Sequence, residues 1–258
     1  MQRVTLLEKV YGPISFRTLE PNLSSLCKGL KVSLKVVGET NRGWVQIEVS
    51  GDDENAALHY IDQKVGLAPA SIKDLERFSV VRGKVFSSGK SRNELYVDIG
   101  ISSPRVCDAA VPLQSLQAQL ADGKKLPLQQ IIRLFCLYDH LPLEVKIVDL
   151  EDAQKERVVT MLSEAQLSQI TRWIRSSVDR LIVLGALSSH VERAIKASKH
   201  SRDIIKVERL GLLEQAIVCK VGTEAVGLIP KLGRRIPKAT FATFCPRRIK
   251  RIVDRSFS

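Results

Sequence analysis

The sequence predicts an α+β protein in three parts: an N-terminal split βαβ layer, a central small β-barrel, and a C-terminal small α/β unit with a basic tail. Three observations carry that prediction. Strand and helix periodicities alternate over residues 1–70, short strands crowd residues 76–150, and from about residue 160 the alternation returns while positive charge accumulates. A chain of 258 residues has room for two or three small domains, and 44% hydrophobic with 26% charged residues is the balance of a globular chain with buried cores.

In the first part, residues 1–70, Arg3-Val4-Thr5-Leu6-Leu7 reads as a strand, and residues 19–30 have apolar positions at helical spacing ended by Gly29. Val32-Ser33-Leu34-Lys35-Val36-Val37 alternates as a half-buried strand should. After the turn signal Asn41-Arg42-Gly43, Trp44-Val45-Gln46-Ile47-Glu48-Val49 alternates again. Gly51-Asp52-Asp53 breaks the strand and starts a helix over residues 54–64. Leu67-Ala68-Pro69-Ala70 reads as a linker.

In the second part, residues 76–150, strands are expected at 78–86, 94–99, 109–113 and 143–150. Turn residues Ser87-Ser88-Gly89-Lys90 and Ser102-Ser103-Pro104 separate them, with one helix near 128–135. Several short strands with a single helix before the last suit a small Greek-key barrel. The third part, 160–258, opens with a helix at 163–177, where Ser163 and Gln166 form a capping-box pattern ahead of a Leu167, Ile170 and Ile174 stripe. A strand (180–184), a helix (188–198) and strands at 204–210, 216–220 and 225–229 follow. Gly233, Pro237 and Pro246 interrupt the tail from Lys231, which predicts an extended or irregular path.

Charge is the most informative quantity. The net charge is +12, yet residues 1–77 balance ten cations against ten acids, whereas residues 231–258 hold nine cations against Asp254 alone. Such asymmetry favours a polyanionic partner. No apolar run reaches the roughly 18–20 residues of a membrane-spanning helix, and Glu8 interrupts any signal-like apolar stretch, so a cytoplasmic protein without membrane association is expected. Cys27, Cys107, Cys136, Cys219 and Cys245 are scattered, as are His59, His140, His190 and His200, which predicts free thiols and no metal site.

Residues 82–116 resemble the S1 type of OB-fold. Arg82-Gly83-Lys84-Val85-Phe86 is similar to that family's first strand with its Gly-x-Val pattern, and Leu95-Tyr96-Val97-Asp98-Ile99-Gly100 to its second, where an aromatic before Val faces RNA. Ala109-Ala110-Val111-Pro112-Leu113 stands where the family carries Gly-Leu-Val-His-Ile, with Pro112 replacing the RNA-contacting histidine. The resemblance implies that the barrel is S1/OB-like. Over nearly its full length the chain also resembles an uncharacterised archaeal protein family, a domain of unknown function (DUF twenty-one ten). The residues that carry this are Trp44 through Glu54, Arg202-Asp203-Ile204-Ile205, Val218 through Pro230, and Leu232-Gly233-Arg234. It implies an archaeal source and brings no activity. The order of parts is similar to the alpha subunit of the archaeal translation initiation factor, an analogy of fold that does not settle function.

Three sets of residues are candidates for nucleic-acid contact. The first is the tail, Lys231, Arg234, Arg235, Lys238, Arg247, Arg248, Lys250 and Arg251, where closely spaced cations can neutralise phosphates and the interleaved Phe241 and Phe244 can stack on bases or instead dock the tail. The second is Lys84, Phe86, Lys90, Arg92 and Tyr96 on the barrel, an aromatic platform with cationic loops or, alternatively, core. The third is Arg193, Lys196 and Lys199, three residues apart on one helix side, with Arg202 beyond them.

No P-loop, dinucleotide-binding or nucleophile-elbow motif is present. Gly51-Asp52-Asp53-Glu54 could hold Mg²⁺ but also suits a helix start, and Asp139 beside His140 is at most a dyad. The expectation is a non-enzymatic, cofactor-free RNA-binding protein whose RNA is single-stranded or ribosomal, acting in translation, ribosome function or RNA processing. The alternative is an adaptor docking on the ribosome or RNA polymerase without base contacts.

Overall fold

The computed structural model describes residues 2–11, 16–102, 105–151 and 157–253. Ser103 and Pro104 of the expected turn, and Asp254, lie outside the described residues. The chain divides into two compact units, Met1–Leu75 with Ile99–Cys107, and Glu76–Asp98 with Asp108–Ser258.

The first unit contains β1 (Gln2–Lys9), α1 (Phe16–Ser24), β2 (Val32–Glu39), β3 (Trp44–Gly51) and α2 (Glu54–Lys64). The sheet order is β1-β3-β2, and β3 is antiparallel to both neighbours. β1 and β2 are therefore parallel, joined through α1 and split by β3, which is the expected split βαβ. The alternation in β3 decides its faces: Val45, Ile47 and Val49 are buried, whereas Gln46, Glu48 and Ser50 stay half-exposed. Across the polar face, Glu48 lies in register between Arg3 and Lys35, so its charges alternate in sign.

β4 (Val80–Phe86), β5 (Glu94–Ile101), β6 (Cys107–Pro112), β7 (Pro142–Glu151) and β8 (Arg157–Leu162), all but Ile99–Ile101 and Cys107 in the second unit, close a barrel in the order β4-β5-β6-β8-β7. β6 and β8 pair parallel, whereas β4 is antiparallel to β5 and β7, and β7 to β8. This is a five-stranded barrel with the strand order of an OB-fold. Gly83 lets β4 approach β5, because a Cβ there would collide with the Asp98 carbonyl. Two elements depart from the sequence reading. β8 completes the barrel beyond residue 150, and α3 (Leu113–Leu120) follows β6 ahead of α4 (Leu128–Phe135). Pro112 ends β6 and sits at the N-cap of α3, a helix-entry role that the strand reading of residues 109–113 did not anticipate.

Ser163 caps α5 (Glu164–Arg175), its hydroxyl accepting from the Gln166 amide at 3.1 Å, but the Gln166 side chain turns away to the Glu144 amide. Then come β9 (Arg180–Leu184), α6 (Ser188–Ser198), β10 (Ile204–Arg209), β11 (Glu214–Cys219), α7 (Ile229–Gly233), β12 (Thr240–Phe244) and α8 (Pro246–Val253). The sheet order is β10-β11-β9-β12, with β11 antiparallel to β9 and β10. This is a second split βαβ, extended by β12. The strand expected at residues 225–229 is instead a 3₁₀ turn running into α7, where Pro230 occupies the first helical turn. The tail is not irregular. Phe241 and Ala242 alternate across β12, and Pro246, Ile249 and Val253 give α8 one buried side, a period masked by four interleaved cations.

Candidate nucleic-acid interface

The C-terminal sheet is covered on both faces. Leu181, Val183, Ile217 and Cys219 face a core shared with Val191 and Ile195 of α6 and Leu232 of α7, and Phe241 packs against that core. On the opposite face, register places Phe244 beside Arg180 and Ala242 beside Ile182. There Phe244 is fully buried and meets Trp173 of α5 edge-to-face, ring centroids 5.3 Å apart. The Arg180 guanidinium lies 5.0 Å from the Trp173 ring and donates to the Trp173 and Val178 carbonyls. Burial lowers the Arg180 pKa while Glu208 opposes that shift. Phe241 and Phe244 are thus docking residues, and the stacking role considered for them is corrected.

The tail cations separate between these faces. Arg235 donates to the Ala197 carbonyl at 2.7 Å, which ties the segment after α7 to the end of α6. That contact brings the tail's Lys231, Arg234 and Arg235 to the element that carries Arg193, Lys196 and Lys199, all exposed. Lys199 adopts φ 62 at the α6 C-cap, and Arg202 is exposed just beyond. Lys238 is exposed before β12. Two sets that are distant in sequence thus meet where the segment after α7 reaches the end of α6.

Arg247, Arg248 and Arg251 are exposed on α8, which packs against α4 and α5. Lys250 is half-buried and donates to the Ser177 hydroxyl at 2.9 Å, so it anchors the helix. Arg248 and Arg133 of α4 line a shared groove, and Lys124 donates to the Ile252 carbonyl. A pocket of about 400 Å³ on the other side of Arg248 is lined by Arg247 and Lys220, with Asp179 and Glu224. Among the described residues no carboxylate pairs with Arg247, Arg248 or Arg251.

On the barrel the expected platform is only partly open. Lys84 is 2% exposed, and its ammonium donates to the buried Glu214 carboxylate at 2.9 Å. Its role is corrected from RNA contact to a buried ion pair between β4 and β11, because a buried charge needs a partner. Gly211 makes room for this acid, since a Cβ there would strike the Glu214 carboxylate. Phe86 and Tyr96 are cross-strand neighbours and half-buried. The Tyr96 hydroxyl donates to Glu94, which also pairs with Arg157, and that hydrogen bond is the main cause of the phenol's raised pKa. Lys90 and Arg92 are exposed in the β4–β5 loop, which Asp139 fixes by accepting from the Ser88 amide at 2.7 Å. Asp139 therefore holds a loop. In the first unit Asp53 accepts from the Lys31 amide at 2.8 Å. Among the described residues no three His, Cys, Asp or Glu side chains gather as a metal site, and no helix is long and apolar enough to cross a membrane.

Family models match almost the whole chain: the DUF2110 N-terminal domain over residues 3–70, the DUF2110 central domain over 76–174, and the DUF2110 C-terminal domain over 178–244. The chain belongs to the DUF2110 family. No curated protein matches it. Among solved structures, a crystal structure of a Thermus thermophilus protein aligns at 12% identity, over 98% of this chain and 42% of that one, with a TM-score of 0.19. This chain thus spans less than half of that protein.

The DUF2110 central domain contains the whole barrel and all of α5 but Arg175, while α8 with its four cations lies just past the span matched by the DUF2110 C-terminal domain. Sequence reasoning missed Arg133, Lys124 and Lys220 in these domains. Helical spacing could have found Arg133, because Leu128, Ile131, Ile132 and Phe135 are buried and leave Gln129 and Arg133, four apart, outside.

Proposed function

We propose that this DUF2110 protein is a non-enzymatic, cytoplasmic RNA-binding protein acting in translation, ribosome function or RNA processing. The observation that carries the reading is the set of exposed α8 guanidiniums, Arg247, Arg248 and Arg251, without an acid partner among the described residues, with Arg248 sharing a groove with Arg133. Guanidinium groups clustered this way match phosphate oxygens and release condensed counterions on binding. Lys90 and Arg92 stand in the loop between the first two barrel strands, one of the loops that OB-folds use for oligonucleotides.

The test is a titration of the full chain with structured and single-stranded RNA at several salt concentrations. A log–log slope steeper than about −2, made shallower by Arg247→Gln with Arg248→Gln and Arg251→Gln, supports the reading. Absence of binding at about 50 mM salt, where phosphate contacts are strongest, overturns it. The adaptor reading has an observation of its own, because Val221 and Val226, beside the α8 pocket, are 82% and 57% exposed. It takes over if the chain binds no RNA yet co-sediments with ribosomes or RNA polymerase, and Val221→Ser with Val226→Ser releases it.

A further inference from the structure

We propose that one chain holds two separate phosphate backbones, on opposite sides of its C-terminal sheet, and so bridges nucleic-acid segments. This rests on the RNA-binding reading and names how that surface is divided. β9 places Leu181 and Val183 toward α6 and α7, and Arg180 and Ile182 toward the side where Phe244 packs on Trp173 of α5. Helices therefore cover both faces, and each set of cations is carried by a helix of a different layer. Arg193, Lys196 and Lys199 belong to α6 on one side, and Arg247, Arg248 and Arg251 to α8, packed on α5 and α4, on the other.

Distance makes the two sets independent. Two helices about 10 Å thick with a sheet between them put the outward cations on the order of 20–30 Å apart. The Debye length at physiological ionic strength is about 8 Å, so phosphates held on one side are screened from those on the other. The acids nearby do not cancel either set. Glu192 is the only acid in α6 and takes a hydrogen bond from Ser188, while Asp179, which accepts from the Ala225 amide, and Glu224 line the α8 pocket, where Lys220, Arg247 and Arg248 outnumber them. The chain accordingly presents two basic surfaces, and that is the arrangement a bridge requires.

The test uses the full chain and two short RNA duplexes labelled as donor and acceptor for energy transfer, at about 150 mM salt, where the screening argument applies. The expected result is transfer that rises with protein, peaks, and falls in excess protein as each chain takes its own duplexes. Native mass spectrometry should then show two duplexes on one chain. Arg193→Gln with Lys196→Gln and Lys199→Gln should abolish transfer and leave one duplex bound, and so should the α8 triple Arg247→Gln, Arg248→Gln, Arg251→Gln. A saturating stoichiometry of one, or loss of all binding from either triple alone, would mean a single continuous surface and overturn the bridge. Transfer restored by mixing the two triples would overturn bridging by one chain in favour of association between chains. If the unaltered chain binds neither duplexes nor single strands, the RNA-binding reading itself fails.

Discussion

The N-terminal and C-terminal sheets are built to the same plan and differ in what they carry. Each has two parallel strands joined through a helix and split by an antiparallel third, β1-β3-β2 in one and β9-β11-β10 in the other. The N-terminal sheet leaves one face polar, with Arg3, Glu48 and Lys35 alternating in sign. The C-terminal sheet carries helices on both faces and adds β12 and α8, within a last stretch, residues 231–258, that holds nine cations against one acid. The same backbone arrangement can thus be electrostatically quiet or strongly basic. The difference lies in an extension whose apolar residues are taken up by docking and whose cations are left over.

The largest effect should come from the buried link that the C-terminal sheet has to the barrel. Lys84→Met leaves the Glu214 carboxylate buried without its ammonium and is expected to cost about 3–5 kcal/mol in urea unfolding. Lys84→Met with Glu214→Leu should recover most of that. If the single and double variants unfold alike, the ion pair is not what couples β4 to β11. Arg3→Gln on the open N-terminal face should change stability by less than about 0.5 kcal/mol. Phe244→Ala comes next. It removes a fully buried ring from Trp173 and should cost about 3 kcal/mol or more, with RNA affinity reduced only as far as the folded fraction falls. A Phe244→Ala protein that stays fully folded but loses RNA would restore the stacking role.

The comparison is tested most directly by charge. Neutralising Arg247, Arg248 and Arg251 should weaken RNA binding roughly tenfold or more and make the salt slope shallower by about 2–3, one phosphate contact per arginine. Arg3→Gln with Lys35→Gln should leave both untouched. Equal losses from the two sets would mean that binding follows net charge, not the C-terminal surface.

How much of this is legible in the sequence follows from how far apart the partners are. Period-2 and period-3.6 patterns are local, so β3, α2, β5 and α6 are readable, and so is the charge asymmetry. β8 is not, because Val158, Thr160 and Leu162 gain their meaning as a strand only by pairing with β6 and β7. Lys84 reads as an RNA contact because its partner Glu214 lies 130 residues away. The tail reads as irregular because prolines and cations hide Phe244, Ile249 and Val253, whose burial depends on Trp173 and the sheet. Long-range pairing, not weak local preference, sets the limit.

The smallest expected signal separates the two sheets by their thiols. Burial pushes Cys219 on β11 up to about 11 and Cys136 after α4 up to about 12, from 9.0. A thiol whose folded value is raised gives stability that is complete below the unfolded value and lost as pH climbs from about 9 toward the folded one. Unfolding in urea should therefore show about 1 kcal/mol less stability at pH 10 than at pH 8 for each of these two thiols, and Cys219→Ala should remove its share. At about pH 8, just below the usual thiol range, a thiol-specific reagent should label Cys245 first, since it is half-buried while Cys27, Cys107, Cys136 and Cys219 are buried. If Cys27 of the N-terminal unit labels as fast as Cys245, that unit opens locally far more often than the C-terminal sheet does, and the difference between the two extends from charge to dynamics.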